Sequence, residues 1–182
     1  MDKGKLFLVN YRHSKSDPLK SITQLPEQEA FTVAKKLYDE SPCRAHRRFG
    51  PDFVYYYPHR LKTEQWLYER FLAIGGQPQT EHPFYFALHY CENFNVNFDF
   101  GKTTKINLND IDIFDVSFTF GDSVAKMDSP DRKDPFLKDK LLEYINQFDN
   151  DVEKFLDSIK EQYVCIEAQL WTDKYFDYYF EE

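Results

Sequence analysis

A helix and a strand follow one another closely in residues 53–90, FVYYYPHRLKTEQWLYERFLAIGGQPQTEHPFYFALHY. The predicted helix covers residues 64–74, with Thr63 as its N-cap and Gly75-Gly76 as its stop. Its large apolar side chains recur at helical spacing, at Trp66, Leu67, Phe71 and Ile74. Residues 83–90 are largely apolar on both alternating faces, which predicts a strand that is covered on both sides.

The residues on the N-terminal side of this helix contain a strand, a second helix and an ambiguous segment. Residues 5–11, KLFLVNY, form a short apolar run that is typical of a strand and favours a central position in the sheet. Pro26 at a first helical position predicts a helix that ends at Ser41-Pro42. Residues 53–57 fit either a strand or a turn of helix, and Pro58 is expected to close them.

Strand patterns continue on the C-terminal side as far as residue 120. Residues 94–100 alternate large apolar and polar side chains, which predicts a half-buried strand. Gly101-Lys102 fits a two-residue type II′ hairpin turn into a strand over residues 103–108. Residues 113–120 alternate in the same way and predict a further strand.

The last third of the chain is predicted to hold a loop, two helices and a final strand. The polar loop covers residues 121–134, and its last residue, Asp134, is expected to cap the first helix. Asn150 and Glu153 fit a capping box for the second helix, and residues 163–171 alternate as a strand. The sequence therefore predicts a single α+β domain over residues 1–182, with a mixed or mainly antiparallel sheet of about five or six strands covered by about four helices.

Composition and charge limit the kinds of function that this chain can have. Its 30% charged residues, and the absence of an apolar run near the roughly 20 residues of a spanning helix, argue against a membrane protein. A net charge of -8 argues against bulk binding to nucleic acid. Three cysteines without paired spacing fit buried thiols in a reducing compartment, so a cytoplasmic location is expected.

One candidate site is a polar second face of the sheet. Alternation pairs six residues on that face: Tyr85 with His89, Ser117 with Thr119, and Glu167 with Gln169. A carboxylate in the middle of a strand is costly unless it is paired or solvated. Glu167 would then act as a general base or hold a ribose hydroxyl, with His89 as its catalytic partner. The alternative is an ordinary polar sheet surface that faces solvent.

A second candidate is a basic set that departs from the acidic character of the chain. Its members are Arg44, His46, Arg47, Arg48, His59 and Arg60, with Tyr57 among three neighbouring tyrosines as a stacking surface. Guanidinium groups bind phosphate in a bidentate manner, so this set would bind a nucleotide or phosphate ligand. The alternative is a solvated loop whose arginines pair with carboxylates, such as Arg60 with Glu64 one helical turn away.

Arg12 and His13 leave the first strand, and Glu167 lies late in the chain. In these residues alone the sequence resembles the ADP-ribosyltransferases, which combine an early Arg or His with a late catalytic Glu. The resemblance implies a catalytic role for Glu167. The five histidines lack ligand spacing, so no metal site is expected, and no motif identifies a cofactor.

The aromatic tail, residues 175–180, carries five rings in six residues, which either pack back on the domain or dock to a partner protein. Because no catalytic motif is present, the sequence favours a binding or regulatory domain that acts through a protein partner. The alternative is a small nucleotide- or phosphate-binding protein or enzyme, transferase- or hydrolase-like, that uses the basic set and the polar sheet face.

Overall fold

The computed structural model describes residues 5–178 and 180–181 of the chain, and within them one antiparallel sheet forms the centre of the fold. The sheet order is β5-β4-β6-β2-β1-β3-β7. Its strands are β1 (Phe7–Arg12), β2 (Phe84–Leu88), β3 (Lys102–Asn107), β4 (Val116–Phe120), β5 (Phe136–Leu137), β6 (Ile166–Leu170) and β7 (Phe180–Glu181). β5 and β7 are two-residue edge strands, and β1 has the central position that its apolar run favours.

Six α-helices accompany the sheet in the described residues: α1 (Glu27–Glu40), α2 (Phe53–Ala73), α3 (Glu92–Asn97), α4 (Ser123–Lys126), α5 (Lys138–Asn146) and α6 (Val152–Ile159). α1, α2, α5 and α6 are the four longer helices. The predicted α+β class, with a mainly antiparallel sheet and about four main helices, is therefore confirmed. In this part of the chain no helix is both long and apolar enough to cross a membrane.

The first face of the sheet carries the main hydrophobic core. Leu8, Phe118 and Ile166 are completely buried there, and α5 and α6 contribute Leu141 and Phe155 to the same cluster. Burial of each such side chain stabilises the fold by roughly 1.5–3 kcal/mol. This face is filled with apolar side chains, so the candidate polar residues lie on the second face or on the outer surface.

The second face of the sheet packs against the long helix α2. A buried stripe runs along α2 at helical spacing. Leu67 and Phe71 pack with Trp171 directly after β6, whereas Phe53 and Tyr57 belong to the cluster that α2 forms with α1. The helix continues without a break through Pro58, which lies on its exposed side. The tertiary packing of both halves thus holds the helix together despite the lost backbone hydrogen bond.

Two predictions about this helix were therefore wrong. Pro58 does not close residues 53–57, which form the first turns of α2. Thr63 is not an N-cap but a buried residue within α2, where its hydroxyl donates to the carbonyl oxygen of His59 at 2.9 Å. The predicted stop at Gly75-Gly76 is confirmed, because α2 ends at Ala73.

The predicted strand over residues 94–100 was also wrong, because residues 92–97 form α3. Phe94 and Phe98 are four residues apart, so a helical turn places both on the cluster around Tyr11. Val96 and Phe100 remain exposed. Gly101 does not form a hairpin turn, and a Cβ atom there would lie 2.2 Å from the carbonyl oxygen of Arg12 in β1. The absence of a Cβ atom at Gly101 therefore allows the two backbone segments to lie close together.

The boundaries of the last two main helices differ from the predicted caps. Residues 136–137 form the short strand β5, and α5 begins at Lys138, so Asp134 does not cap it. α6 is capped by Asp151, whose side chain accepts from the backbone amides of Glu153 and Lys154. The helices exist as predicted, and the caps differ by one to a few residues.

Candidate functional site

The polar second face of the sheet is a buried layer beneath α2 rather than a surface. β6 lies between β2 and β4, so Gln169 is opposite both Tyr85 and Ser117, and Glu167 is opposite Thr119. Ser117 and Gln169 are fully buried, and Glu167 is 6% exposed. The solvent-facing alternative for this face is thereby excluded.

Glu167 lies in the middle of this layer, and its hydrogen bonds converge on one carboxyl oxygen. Its Oε1 accepts from the hydroxyl of Ser123 at 2.5 Å and from Nε2 of Gln169 at 2.9 Å. Burial raises the pKa of Glu167 to about 8, with help from the nearby charge of Asp122, against the opposing effect of these hydrogen bonds. A carboxyl group that holds its proton near neutral pH can donate as well as accept a hydrogen bond.

The hydrogen bonds of the layer continue from Glu167 to the edge of the core. Nε2 of Gln169 donates to the hydroxyl of Thr119 at 3.0 Å, and its Oε1 accepts from the hydroxyl of Ser117 at 2.8 Å. Ser117 in turn accepts from the indole N–H of Trp171 at 3.0 Å. These bonds satisfy the polar groups of Gln169 and its neighbours. The buried hydroxyl of Tyr85, opposite Gln169, has no hydrogen-bond partner among the described residues.

His89 does not join this network. It follows the end of β2 with a positive φ of 57°, and its backbone amide donates to the carbonyl oxygen of Phe7 at 2.8 Å. The strand register places Ala87, not His89, opposite Glu167. Burial lowers the pKa of His89, and within the described residues its Nε2 atom has no hydrogen-bond partner. The structure therefore does not bring His89 and Glu167 together as an acid–base pair.

Arg12 and His13, the other half of the ADP-ribosyltransferase resemblance, are buried where β1 ends. Arg12 donates to the carbonyl oxygen of Ser16 at 2.8 Å. β2 separates β1 from the strand that carries Glu167, so these residues and Glu167 belong to different parts of the sheet.

Arg60 is part of the buried layer and not of a phosphate-binding loop. Its side chain is 12% exposed and donates to Oε1 of Glu64 at 2.8 Å and to the hydroxyl of Ser21 at 3.0 Å. Glu64 is fully buried and also accepts from Thr23, and its Oε2 lies 2.8 Å from Nδ1 of His82. The local pair of Arg60 and Glu64, the simpler of the two interpretations, is what the structure shows.

The pKa of Glu64 shows which effect dominates in this cluster. Burial alone would raise that pKa, but the charge of Arg60 and the hydrogen bonds from His82, Arg60 and Thr23 more than offset burial. The pKa of Glu64 is therefore held below its ordinary value. Glu64 and Arg60 form a charged pair inside the fold, since a buried carboxylate persists only with such partners.

The other members of the basic set are dispersed. His46 is buried and bonds the carbonyl oxygen of Ser41 at 2.7 Å, and His59 lies 3.0 Å from the carbonyl oxygen of Val124. Tyr57 is 4% exposed and cannot offer a stacking surface. The guanidinium of Arg48 donates from Nη1 to the hydroxyl of Tyr56 at 3.2 Å and lies 5.5 Å from the centre of its ring.

Arg44 and Arg47 are the two members of the basic set that remain available. Both are exposed, at and beside the 3-10 turn Ala45–Phe49, and within residues 5–178 neither guanidinium has an ion-pair partner. The basic set therefore does not converge with Glu167 on one cleft.

A cavity in the described chain adjoins this basic turn. It is an open groove of about 1070 Å³ between α1 and the first turns of α2. Its lining includes the aromatic side chains of Phe31, Tyr38, Phe49 and Phe53 together with Val54. Gly50 lets Tyr38 lie across the end of the groove, because a Cβ atom at Gly50 would come within 2.6 Å of that ring.

Sequence reasoning missed the groove, although part of its signal was present. Phe49-Gly50-Pro51 precedes α2, and Val54 and Tyr55 are 52% and 76% exposed on its first turn. A helical assignment of residues 53–57 would have separated buried Phe53 from exposed Val54 and predicted an aromatic surface beside the arginines.

Residues 121–134, which the sequence predicts as a loop, contain the short helix α4 and close the polar layer at the other end of α2. Arg132 lies 4.2 Å from the ring centre of Trp66, and Lys133 lies 4.6 Å from that of Phe120. A cavity of about 10 Å³ beside Thr119 and Ser123 has room for a single water molecule. Glu167 is thus sealed from any ligand larger than water in this conformation.

The described part of the aromatic tail packs back on the domain. The hydroxyl of Tyr175 donates to Asp115 at 2.5 Å, and the ring of Phe176 meets that of Phe84 edge-on at 4.7 Å. The backbone of residues 180–181 adds β7 to the edge of the sheet. Tyr179 and the side chains of the neighbouring residues 178 and 180 lie outside the described residues.

Among the described side chains, His, Cys, Asp and Glu do not gather in groups of three that could hold a metal ion. Comparisons with protein-family models, with curated proteins and with solved structures found no match to this chain.

Proposed function

We propose that this protein is a binding or regulatory domain that acts through a protein partner, and that the partner occupies the groove between α1 and α2. The observation that carries the proposal is the groove itself, about 1070 Å³ in volume and lined by aromatic side chains. Apolar surface of this kind on a protein marks a site of interaction. We also propose a cytoplasmic location, which is supported by the three free cysteines.

The charges around the groove specify the chemistry of the occupant. On the α1 side, Lys35 and Asp39 pair with each other at 2.5 Å, and Glu27 also lines the groove. On the other side, the basic turn presents Arg44 and Arg47 without a carboxylate partner in the described chain. A segment with apolar anchors for the groove floor and carboxylates for the arginines is complementary to this surface. The proposed partner is therefore an acidic amphipathic segment of another protein.

The groove supports this proposal better than the C-terminal tail does. Tyr175 is engaged by Asp115, and Phe176 packs on Phe84, so these two rings are already used within the domain. The groove, in contrast, keeps part of its aromatic lining open to solvent, with Tyr38 41% exposed.

A photo-crosslinking amino acid at position 54, in the groove, tests the proposal in cells. The matched control is the same amino acid at Leu72, which is 49% exposed on the same helix but outside the groove. We expect a discrete crosslinked protein from position 54 only, and its loss when Arg44 and Arg47 are changed to glutamate. The exposed Lys20, changed to glutamate, should leave the crosslink intact. Equal products from positions 54 and 72, or a product that survives the double charge reversal, would refute the proposal.

The alternative, a nucleotide or phosphate ligand, is supported only by the same two exposed arginines. A thermal-shift series with nucleotides and inorganic phosphate distinguishes the two proposals, since a ligand at 100 times its dissociation constant stabilises by about 2.7 kcal/mol. A shift that is lost in Arg47→Ala but kept in Val54→Arg would favour the phosphate ligand, because only a protein segment needs the apolar floor.

A further inference from the structure

Two cysteines that are far apart in the sequence lie side by side in the fold. Cys91 follows the end of β2, and Cys165 directly precedes β6. These strands pair antiparallel with Ala87 opposite Glu167, so both cysteines lie at the same end of one strand pair. They belong to one apolar cluster, and both are reduced.

The thiol of Cys91 contacts the backbone of the residue next to Cys165. As a thiol, Cys91 donates from Sγ to the carbonyl oxygen of Val164 at 3.7 Å, and Val164 is bonded to Cys165. A hydrogen bond between the two sulfurs lowers the pKa of Cys91 and, together with burial, raises the pKa of Cys165. Cys91 is therefore the thiol of the pair that ionises more readily, with Cys165 beside it.

The pair lies just below the protein surface. Cys91 and Cys165 are 7% and 5% exposed, while the neighbouring Tyr90 and Val164 are 61% and 57% exposed. The backbone amide of Cys91 donates to the hydroxyl of Tyr11 at 2.6 Å, which fixes the backbone at this cysteine. In the described chain no third metal-ligating side chain joins the two sulfurs, so the cluster is not a metal site.

We propose that Cys91 and Cys165 are a redox modification site, at which hydrogen peroxide converts the two thiols into a reversible disulfide. The Cys91 thiolate attacks one peroxide oxygen, the O–O bond breaks, and hydroxide takes up a proton and leaves as water. The Cys165 thiol then attacks the sulfur of the resulting Cys91 sulfenic acid, so an S–S bond forms and the S–O bond breaks, and the hydroxyl group leaves as a second water with the proton of Cys165. Two thiols are oxidised by two electrons in total, and one peroxide is reduced to two waters.

Intact mass measurement after thiol alkylation tests this proposal on the wild-type protein. The reduced protein has three free cysteines and should take up three alkyl groups after denaturation. After treatment with equimolar hydrogen peroxide we expect one alkyl group, on Cys43, and a peptide map that joins residues 91 and 165. Dithiothreitol should restore all three thiols.

Two variants separate a paired site from general thiol oxidation. Cys43→Ser should form the disulfide as fast as the wild type, since Cys43 lies outside the cluster. Cys165→Ser should stop at a sulfenic acid on Cys91 that dimedone traps. Three alkylatable thiols after peroxide, or a disulfide that contains Cys43, would overturn the proposal even if Cys165→Ser fails to fold, because both are read on the wild type.

Discussion

At the scale of single residues, the pair of Arg60 and Glu64 illustrates how a charged group survives inside this fold. Glu64 is fully buried, and its two carboxylate oxygens contact Arg60, Thr23 and His82. Each partner removes part of the penalty of burying a charge. Removing one partner of the pair should therefore destabilise the fold more than replacing both partners with apolar residues.

We expect Glu64→Gln to lower the free energy of unfolding by about 3–5 kcal/mol, because it leaves the Arg60 guanidinium buried without a counter-charge. The double variant Arg60→Met with Glu64→Leu should lose less than Glu64→Gln alone, since it removes both charges. Urea denaturation of the wild type, Arg60→Met, Glu64→Leu and the double variant gives the coupling energy. Additive losses would mean that the two side chains do not stabilise each other.

At the scale of elements, the end of α2 depends on two glycines for different reasons. Gly75 has a φ of 98° and donates to the carbonyl oxygen of Leu72, and Gly76 donates to that of Phe71 at 2.8 Å, which completes a Schellman motif. A Cβ atom on Gly75 would meet nothing within 4 Å, whereas one on Gly76 would lie 2.3 Å from the ring of Phe71. That ring is fully buried and stacked on Trp171.

Gly75→Ala should therefore cost about 1 kcal/mol, the usual penalty of placing a Cβ atom at a positive φ. Gly76→Ala should cost about 2–3 kcal/mol, because the buried ring of Phe71 has to move. Chemical denaturation compares the two, and only Gly76→Ala should alter the near-ultraviolet circular dichroism of Trp171. Equal costs for the two variants would show that Phe71 relaxes freely.

How far the sequence predicts the elements depends on whether one periodicity dominates. It predicted the end of α2 and the positions of β1, β2 and β6, because glycines or unbroken apolar runs mark them. The prediction failed at residues 94–100. Apolar residues that alternate every two positions include pairs four residues apart, such as Phe94 and Phe98, so the same pattern also fits a helix. The prediction failed at Pro58 because packing on both sides of that residue outweighs the local cost of proline in a helix.

At the scale of the whole molecule, the candidate site required knowledge of the layers. Alternation correctly groups Ser117 with Thr119 and Glu167 with Gln169, since a strand fixes which side chains share a face. Alternation does not show that α2 covers that face, or that Arg60 lies in the buried layer while Arg47 is exposed. Both facts depend on contacts between distant segments, which no local pattern encodes.

The same layer gives the molecule two carboxyl groups with opposite pH responses. The pKa of Glu64 is lowered, so its contribution to stability is present above the ordinary carboxyl pKa and is lost as the pH falls through the lowered value. The pKa of Glu167 is raised to about 8, so its contribution is complete below the ordinary carboxyl pKa and is lost as the pH rises toward 8. Lowering the pH therefore reveals the loss of the Glu64 contribution, and raising the pH toward 8 reveals the loss of the Glu167 contribution.

We expect Glu167→Gln to remove the second effect while keeping the size and hydrogen-bonding capacity of the side chain. Between about pH 5 and pH 8 the wild type should lose on the order of a few kcal/mol of unfolding free energy relative to this variant. Urea denaturation across that range measures the difference, with the exposed Glu161→Gln as the control for a change of net charge. The net charge of -8 weakens both proteins as the pH rises, so the difference between the curves is the informative quantity. Parallel curves would mean that Glu167 ionises in the folded protein as readily as a carboxyl group in water, which its burial beneath α2 argues against.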